Sequence, residues 1–382
     1  MRFFLGAILT ILPSLLVGCL KIEGPKAVKS TGEVKAPLVD YHEFFPNETT
    51  LNQVISVLTH AGNIYIGTKK GLYAYSLGDW DPLNANSPFL KGEKVTRLAI
   101  SSSSHLFAVT EERGLYVLYP GETKFHHTGS TLVRDIAVLN GTNRVYCATS
   151  HGVDIFEDGR WSNQSLKATS EYAANPNDIQ AIALQGKAVI WLGTSFGVYR
   201  MKNATEVDFL MADFQIIQGN SVIDRKGNSP LGGNLIYDID YNEKDNNLIF
   251  ATNGGVSIIS DPEQYKDANN WQTFTGNHTI SRMSSTGVSE FPVPGNSPLP
   301  TNFVMTAVKL GKSLYFGTEK GLIHLKNNDW KVYNLENYLP GDVIYDLHTV
   351  NSIDEEILYI GTSGGLAIIK EPKHQSQEGQ KI

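Results

Sequence analysis

One short phrase, written seven times along the chain, leaves few folds open. It consists of an apolar run, a small residue, a threonine, a brief polar gap, a glycine and an aliphatic residue. The copies read IYIGTKKGL from Ile64, LFAVTEERGL from Leu106, VYCATSHGV from Val145, IWLGTSFGV from Ile190, LIFATNGGV from Leu248, LYFGTEKGL from Leu314 and LYIGTSGGL from Leu358. Every copy holds the threonine (Thr68, Thr110, Thr149, Thr194, Thr252, Thr318, Thr362) and the closing glycine (Gly71, Gly114, Gly152, Gly197, Gly255, Gly321, Gly365). Three residues before the threonine stands an aromatic in six copies (Tyr65, Phe107, Tyr146, Trp191, Tyr315, Tyr359), with Ile249 in the other. Repeats of this length bury their apolar faces only against neighbouring repeats, so the copies must pack side by side.

Each phrase has the chemistry of a β-hairpin. A run of β-branched and aromatic residues ending in Thr suits a strand, and a polar gap closed by Gly suits a turn that needs a positive φ. The run is apolar on both sides, as in a sheet covered on both faces. The residue before Thr is small in six copies, Val109 being the exception, which fits close approach of sheet to sheet. A further strand precedes each hairpin: VISVL from Val54, VTRLA from Val95, VRDIA from Val133, IQAIA from Ile179, IYDID from Ile236, VMTAV from Val304 and IYDLH from Ile344. A fourth opens with a polar residue and an aromatic at Asp79-Trp80, Lys124-Phe125, Arg160-Trp161, Asp208-Phe209, Asn270-Trp271 and Asp329-Trp330. That makes six outer strands for seven hairpins, and the missing one is found at Asp40-Tyr41, ahead of the first repeat. The expectation is an all-β fold, a single seven-bladed β-propeller of four-stranded blades over residues 38–370. An N-terminal strand completes the last blade, which removes the open sheet edge.

The repeat resembles that of the two-component regulator propeller family, whose units carry a Trp-Ile-Gly-Thr-x-x-Gly-Leu core; IWLGTSFGVY from Ile190 and LYIGTSGGL from Leu358 are its nearest forms here. The resemblance implies a propeller of the kind that serves as the extracytoplasmic sensor of membrane histidine kinases and responds to ligands such as oligosaccharides. No kinase sequence accompanies the repeats. The implied role that carries over is binding.

The start of the chain gives an address. Arg2 is followed by an apolar stretch from Phe3 to Val17, too short for a comfortable membrane span, ending Leu16-Val17-Gly18-Cys19. This resembles the lipobox of bacterial lipoproteins. Residues 1–18 are then a signal peptide, and Cys19 is lipidated, with palmitate-type chains as the membrane anchor. Leu20, where an aspartate would retain the protein elsewhere, points by the same resemblance to an outer membrane. Residues 19–37 read as a lipidated cysteine with a flexible tether, and 371–382 as a polar tail. The second cysteine, Cys147, sits in an apolar run and reads as a small buried hydrophobe. A net charge of -7 with no Lys/Arg-dense run in the mature part argues against nucleic acid.

Loops that join one blade to the next share a face with the hairpin turns. Three are long and read as having no structure of their own: Ser162–Asp178, Met211–Leu235 and Gly276–Phe303. They leave consecutive blades, three to five, and long loops favour a working face. They bring Tyr172, Phe214 and Phe291, candidates for stacking on a sugar ring or an aromatic partner. The turns add Lys69, Lys70, Glu111, Arg113, His151, Phe196, Glu319 and Lys320 around the rim. His126, His127 and His151 fall close enough in the fold order to be weighed as a metal or acid–base set. No carboxylate at defined spacing supports that, so no metal, cofactor or catalytic residue is expected. Five Asn-x-Ser/Thr triplets (Asn47, Asn140, Asn163, Asn203, Asn277) are expected to serve turns. The leading expectation is a non-catalytic, envelope-anchored propeller that binds a glycan, peptide or envelope protein, as a sensor or an assembly scaffold. The alternative is a propeller lyase or hydrolase. Against it, the repeat core differs from that of streptogramin lyases, no metal-positioning Glu/His set is evident, and the Asp-box of propeller sialidases is missing.

Overall fold

A computed structural model describes residues 38–42 and 53–373, apart from 77–78, 84–86, 88–89, 130–131, 168–174, 203–205, 219–220 and 285–286. The signal peptide, Cys19, the tether, Asn47, Tyr172 and Asn203 lie outside the described residues. Seven four-stranded antiparallel sheets hold the repeats, one sheet per copy. Their inner strands are Val54–His60, Val95–Ile100, Asp135–Val138, Ile179–Gln185, Ile236–Asn242, Val304–Leu310 and Ile344–Asn351. Each inner strand lies against the next, and the last returns to the first, which closes a ring of seven blades.

Closure is made as the sequence predicts. The strand Leu38–His42 pairs antiparallel with Gly365–Pro372, in register from Leu38↔Lys370 to His42↔Leu366. The final strand continues past Lys370 to Pro372. The six aromatic-led outer strands all form, although in blade two the pairing is confined to His126–His127, just after Phe125. Their aromatics pack across the ladder: Trp80 on Tyr75 and Trp161 on Phe156, each at 5.0 Å between ring centres, and Phe209 on Tyr199 at 4.6 Å.

The invariable threonine clasps its own turn. Its hydroxyl donates to the carbonyl of the closing glycine, at 2.8–3.0 Å in six copies and 3.5 Å in the longer turn at Thr110. The same oxygen accepts a backbone N–H from inside the turn, as from Lys70 or His151. All seven threonines are buried, so a side chain without a hydroxyl would strand these turn groups. The small residue before Thr has a packing cause. A Cβ on Gly193 would lie 2.5 Å from Ile236 Cγ2, the first inner-strand residue of the next blade. Gly193→Ala is expected to destabilise the protein by about 1–2 kcal/mol through overpacking of this seam, read as a lower denaturant midpoint with unchanged slope. An unchanged midpoint would remove the close-approach explanation.

Apolar clusters fill the seams between blades. One joins Trp191 and Val198 of blade four to Ile236 and Phe250 of blade five. Cys147 is fully buried among Phe107, Val117 and Val145, and burial pushes its thiol well above the usual range, which keeps it unreactive.

Candidate functional site

Antiparallel order places hairpin turns and blade-to-blade loops on one face, and hydrogen bonds join the two sets there. The Gly152 N–H donates to Asn177 O, Gly197 to Asn234 O and Gly255 to Asn302 O. Those three asparagines also close the necks of the three long loops. Their side-chain oxygens accept from Leu166 N at 2.6 Å, Ala212 N at 2.7 Å and Gly276 N at 2.6 Å. Their amide nitrogens donate to the carbonyls of the same three residues, at 3.1–3.3 Å. An asparagine two residues before an inner strand is therefore a loop clamp. The signal stands in the sequence at Asn177-x-Ile179, Asn234-x-Ile236 and Asn302-x-Val304, and the hairpin-centred repeat phrase passes over it.

Two of the three loops, the second and third, are not structureless, contrary to expectation. The second carries a hairpin of Phe214–Gln218 with Ser221–Arg225, and the third a hairpin of His278–Ser284 with Gly287–Val293. Strand-forming residues such as Ile223 and Phe291 favour local ladders once the necks are clamped. The strand Ser221–Arg225 lies beside His278–Ser284, so consecutive blades build one lobe over this face. A cleft of about 530 Å³ opens at the foot of the first hairpin, lined by Ala212, Asp213, Lys226, Asn228 and Pro230.

The expected rim residues divide. Phe196 and Phe214 meet edge to face at 5.1 Å, so this pair fastens the lobe to its blade. Phe291 remains 47% exposed on the second hairpin. Lys69 and Lys70 are exposed, and Lys70 O accepts from Gly92 N, which sets the Lys91–Lys94 loop beside them. Arg113 pairs with Glu93 at 3.2 Å and Glu111 with Lys94 at 2.7 Å; Glu319 and Lys320 stand exposed on the blade-six turn.

The three histidines take separate partners. His126 Nε2 lies 2.5 Å from Glu122, His127 Nε2 2.7 Å from Arg113 O, and His151 Nε2 3.1 Å from Asp154. Among the described residues, no group of three or more His, Cys, Asp or Glu is arranged to hold a metal ion. Asn140 and Asn277 bond within or between loops, Asn277 Oδ1 accepting from Gly295 N across the third loop's hairpin. Asn163, by contrast, serves no turn: it stands in the strand Arg160–Gln164 and donates to Asp154 opposite it on the neighbouring strand.

A second ring of residues was not foreseen. In six blades the inner strand slips register at its second residue: Ile55, Thr96, Gln180, Tyr237, Met305 and Tyr345. Arg134 holds the equivalent place in blade three. A bulge leaves one residue outside the ladder and re-aims its side chain. Because inner strands start on the loop-rich face, this ring borders the mouth of the axial channel. Blades five to seven give it half-buried Tyr237, Met305 and Tyr345, with Phe303 beside them 50% exposed. Burial and the charge of Glu319 push the Tyr237 hydroxyl up, so it stays a donor at neutral pH. Blades three and four give a polar side, where Arg134 pairs with Asp178 at 2.5 Å and Ser195 Oγ donates to Asp178 at 2.6 Å. Burial works to raise the Asp178 carboxyl, but hydrogen bonds from Ser195 and Arg134 hold it below its usual value. The mouth thus offers flat apolar surface on one side and a fixed ion pair on the other.

No family model matches the chain, and no curated protein matches it. Solved structures do. The extracellular domain of a hybrid two-component system from B. thetaiotaomicron aligns with TM-score 0.58 at 15% identity, over 90% of this chain and 45% of that one. Virginiamycin B lyase from Staphylococcus aureus aligns with TM-score 0.55 at 12% identity, over 87% of this chain and 98% of that one. The WD40 propeller domain of Doa1 aligns with TM-score 0.51 at 11% identity, over 85% and 94%. At these identities the likeness is one of fold.

Proposed function

We propose that this chain is a non-catalytic binding propeller of the bacterial envelope, anchored by acyl chains on Cys19, that takes a glycan, peptide or protein segment over the channel mouth. The observation that carries this reading is the convergence on one face of the bulged ring and the clamped lobe. Propellers concentrate ligand sites where loops of many blades meet, and half-exposed aromatics beside a few fixed polar groups suit such ligands.

The test uses the soluble form, residues 20–382, on glycan and peptide arrays, then in an envelope pull-down. A variant lacking residues 278–293 but keeping Gly276 and Asn302 is expected to fold and to bind at least tenfold more weakly. Tyr237→Ala and Tyr345→Ala are expected to act in the same direction. Full binding after all three changes would place the ligand elsewhere. Cys19→Ala is expected to move the protein from the membrane to the soluble fraction; retention in the membrane would remove the anchor.

A further inference from the structure

Beneath the mouth, the residues that follow the bulged ring are Ser56, Arg97, Asp135, Ala181, Asp238, Thr306 and Asp346. Several stitch the seams. Ser56 Oγ accepts from Leu98 N at 3.1 Å, Asp135 Oδ2 from Ile182 N at 2.9 Å and Asp346 Oδ2 from Val57 N at 2.7 Å. Arg97 Nε donates to Asp135 at 3.0 Å, and its guanidinium also feels Asp346 and Asp238 across the axis. Two residues further along the strand of Asp238 comes Asp240, half-buried, with no hydrogen bond or ion pair to its carboxyl among the described residues. Three carboxylates, Asp135, Asp238 and Asp346, thus share one guanidinium, and Asp240 feels only the like charge of Asp238.

A second observation falls in the same layer. Thr306 is 2% exposed, and its hydroxyl has no hydrogen-bond partner. It lies beside Asp238 and helps hold that carboxyl down without completing a bond, while burial and Asp135 raise it. Arg97, Asp238, Asp240 and Asp346 each keep partial exposure. The carboxylates are too dispersed for one metal ion, since none of their groupings among the described residues is arranged to hold one. They are spread along the axis, with Asp238 and Asp240 about 7 Å apart by strand rise.

We propose that the axial channel binds a linear aliphatic polyamine, one ammonium between Asp238, Asp346 and Thr306 Oγ1 and the next at Asp240. Each ammonium brings three donors, to the unpartnered Thr306 hydroxyl in one place and to the Asp240 carboxylate in the other, and a charge to Asp238 and Asp346. Tyr237 and Tyr345 at the mouth present faces over which a cation passes favourably. Burial and Asp238 push the Asp240 carboxyl up to about 7, and burial does the same for Asp346. A bound cation reverses that, so uptake releases protons.

The experiment is calorimetric titration of residues 20–382 with putrescine and with spermidine at pH 7, in two buffers of different ionisation heat. Butane-1,4-diol and Mg²⁺ serve as controls. The expected result is saturable spermidine binding with proton release, at least tenfold weaker in Asp240→Asn and several-fold weaker in Thr306→Val, and weaker at pH 6. The surface variant Glu336→Gln should bind as the parent does. Absence of saturable binding overturns the proposal. So does equal binding by folded Asp240→Asn, or equal competition by Mg²⁺, either of which marks diffuse attraction to an acidic chain. The site lies below the loop-rich face, so loss of the 278–293 hairpin should leave polyamine binding intact.

Discussion

Removing the strand Leu38–His42 is expected to cost the protein about 4–6 kcal/mol and to make it self-associate. The ladder to Gly365–Pro372 pairs five residues, from Leu38↔Lys370 to His42↔Leu366. Each backbone hydrogen bond contributes about 0.5–1.5 kcal/mol net. Its loss also opens a long edge of apolar residues (Leu366, Ile368, Ile369) that are now buried, and such edges pair with other chains. A form beginning at residue 37 should melt as the form beginning at residue 20 does. A form beginning at residue 43 should melt several degrees lower, roughly 1–2 °C per kcal/mol for a chain of this size, and elute early in gel filtration. A synthetic peptide of residues 37–43 should restore much of the loss in trans. Equal melting and elution of the two truncated forms would show that the ring does not depend on this strand.

That closure was legible because the aromatic-led outer strands numbered one fewer than the hairpins, and Asp40-Tyr41 supplied the balance. The turns were legible for a related reason. Thr and Gly at fixed spacing encode a local structure that needs no knowledge of the partner blade. The lobe was less so. Phe214–Gln218 and Ser221–Arg225 are ordinary strand sequences, but nothing in them tells that Asn234 clamps Ala212 and holds the ends together. The bulged ring was not legible at all. A bulge belongs to the register between two strands, and Tyr237 or Met305 in isolation reads as one more residue of an apolar run. The same reason hides the axial layer. Asp238 and Asp346 look like ordinary polar interruptions until seven inner strands bring their third residues around one axis.

That axial layer makes the last prediction, in which two opposing titrations must be separated. Burial lowers His324, stacked on Tyr315 at 4.4 Å, and His348, bonded to Thr59 at 2.9 Å, each to about 4. The unfolded chain protonates these histidines below about 6.5 while the folded one does not. Their contribution is therefore complete above that pH, declines as pH falls, and is gone below about 4. Asp240 and Asp346 act in the other direction. Burial raises both to about 7, so the folded chain holds protons that the unfolded chain has lost. Their cost is absent below the unfolded value of 3.8, grows as pH rises, and is complete above about 7. Between these limits the two pairs nearly cancel, and the parent protein should show a shallow stability profile. Asp240→Asn removes one costly charge where no hydrogen bond or ion pair is lost. It is expected to raise stability by about 2–4 kcal/mol at pH 8, to match the parent near pH 4, and to expose the histidine slope between. The measurement is urea unfolding of both proteins from pH 4 to pH 8. A variant no more stable than the parent at pH 8, or equally stabilised at pH 4, would show that the Asp240 carboxyl is already satisfied as an anion.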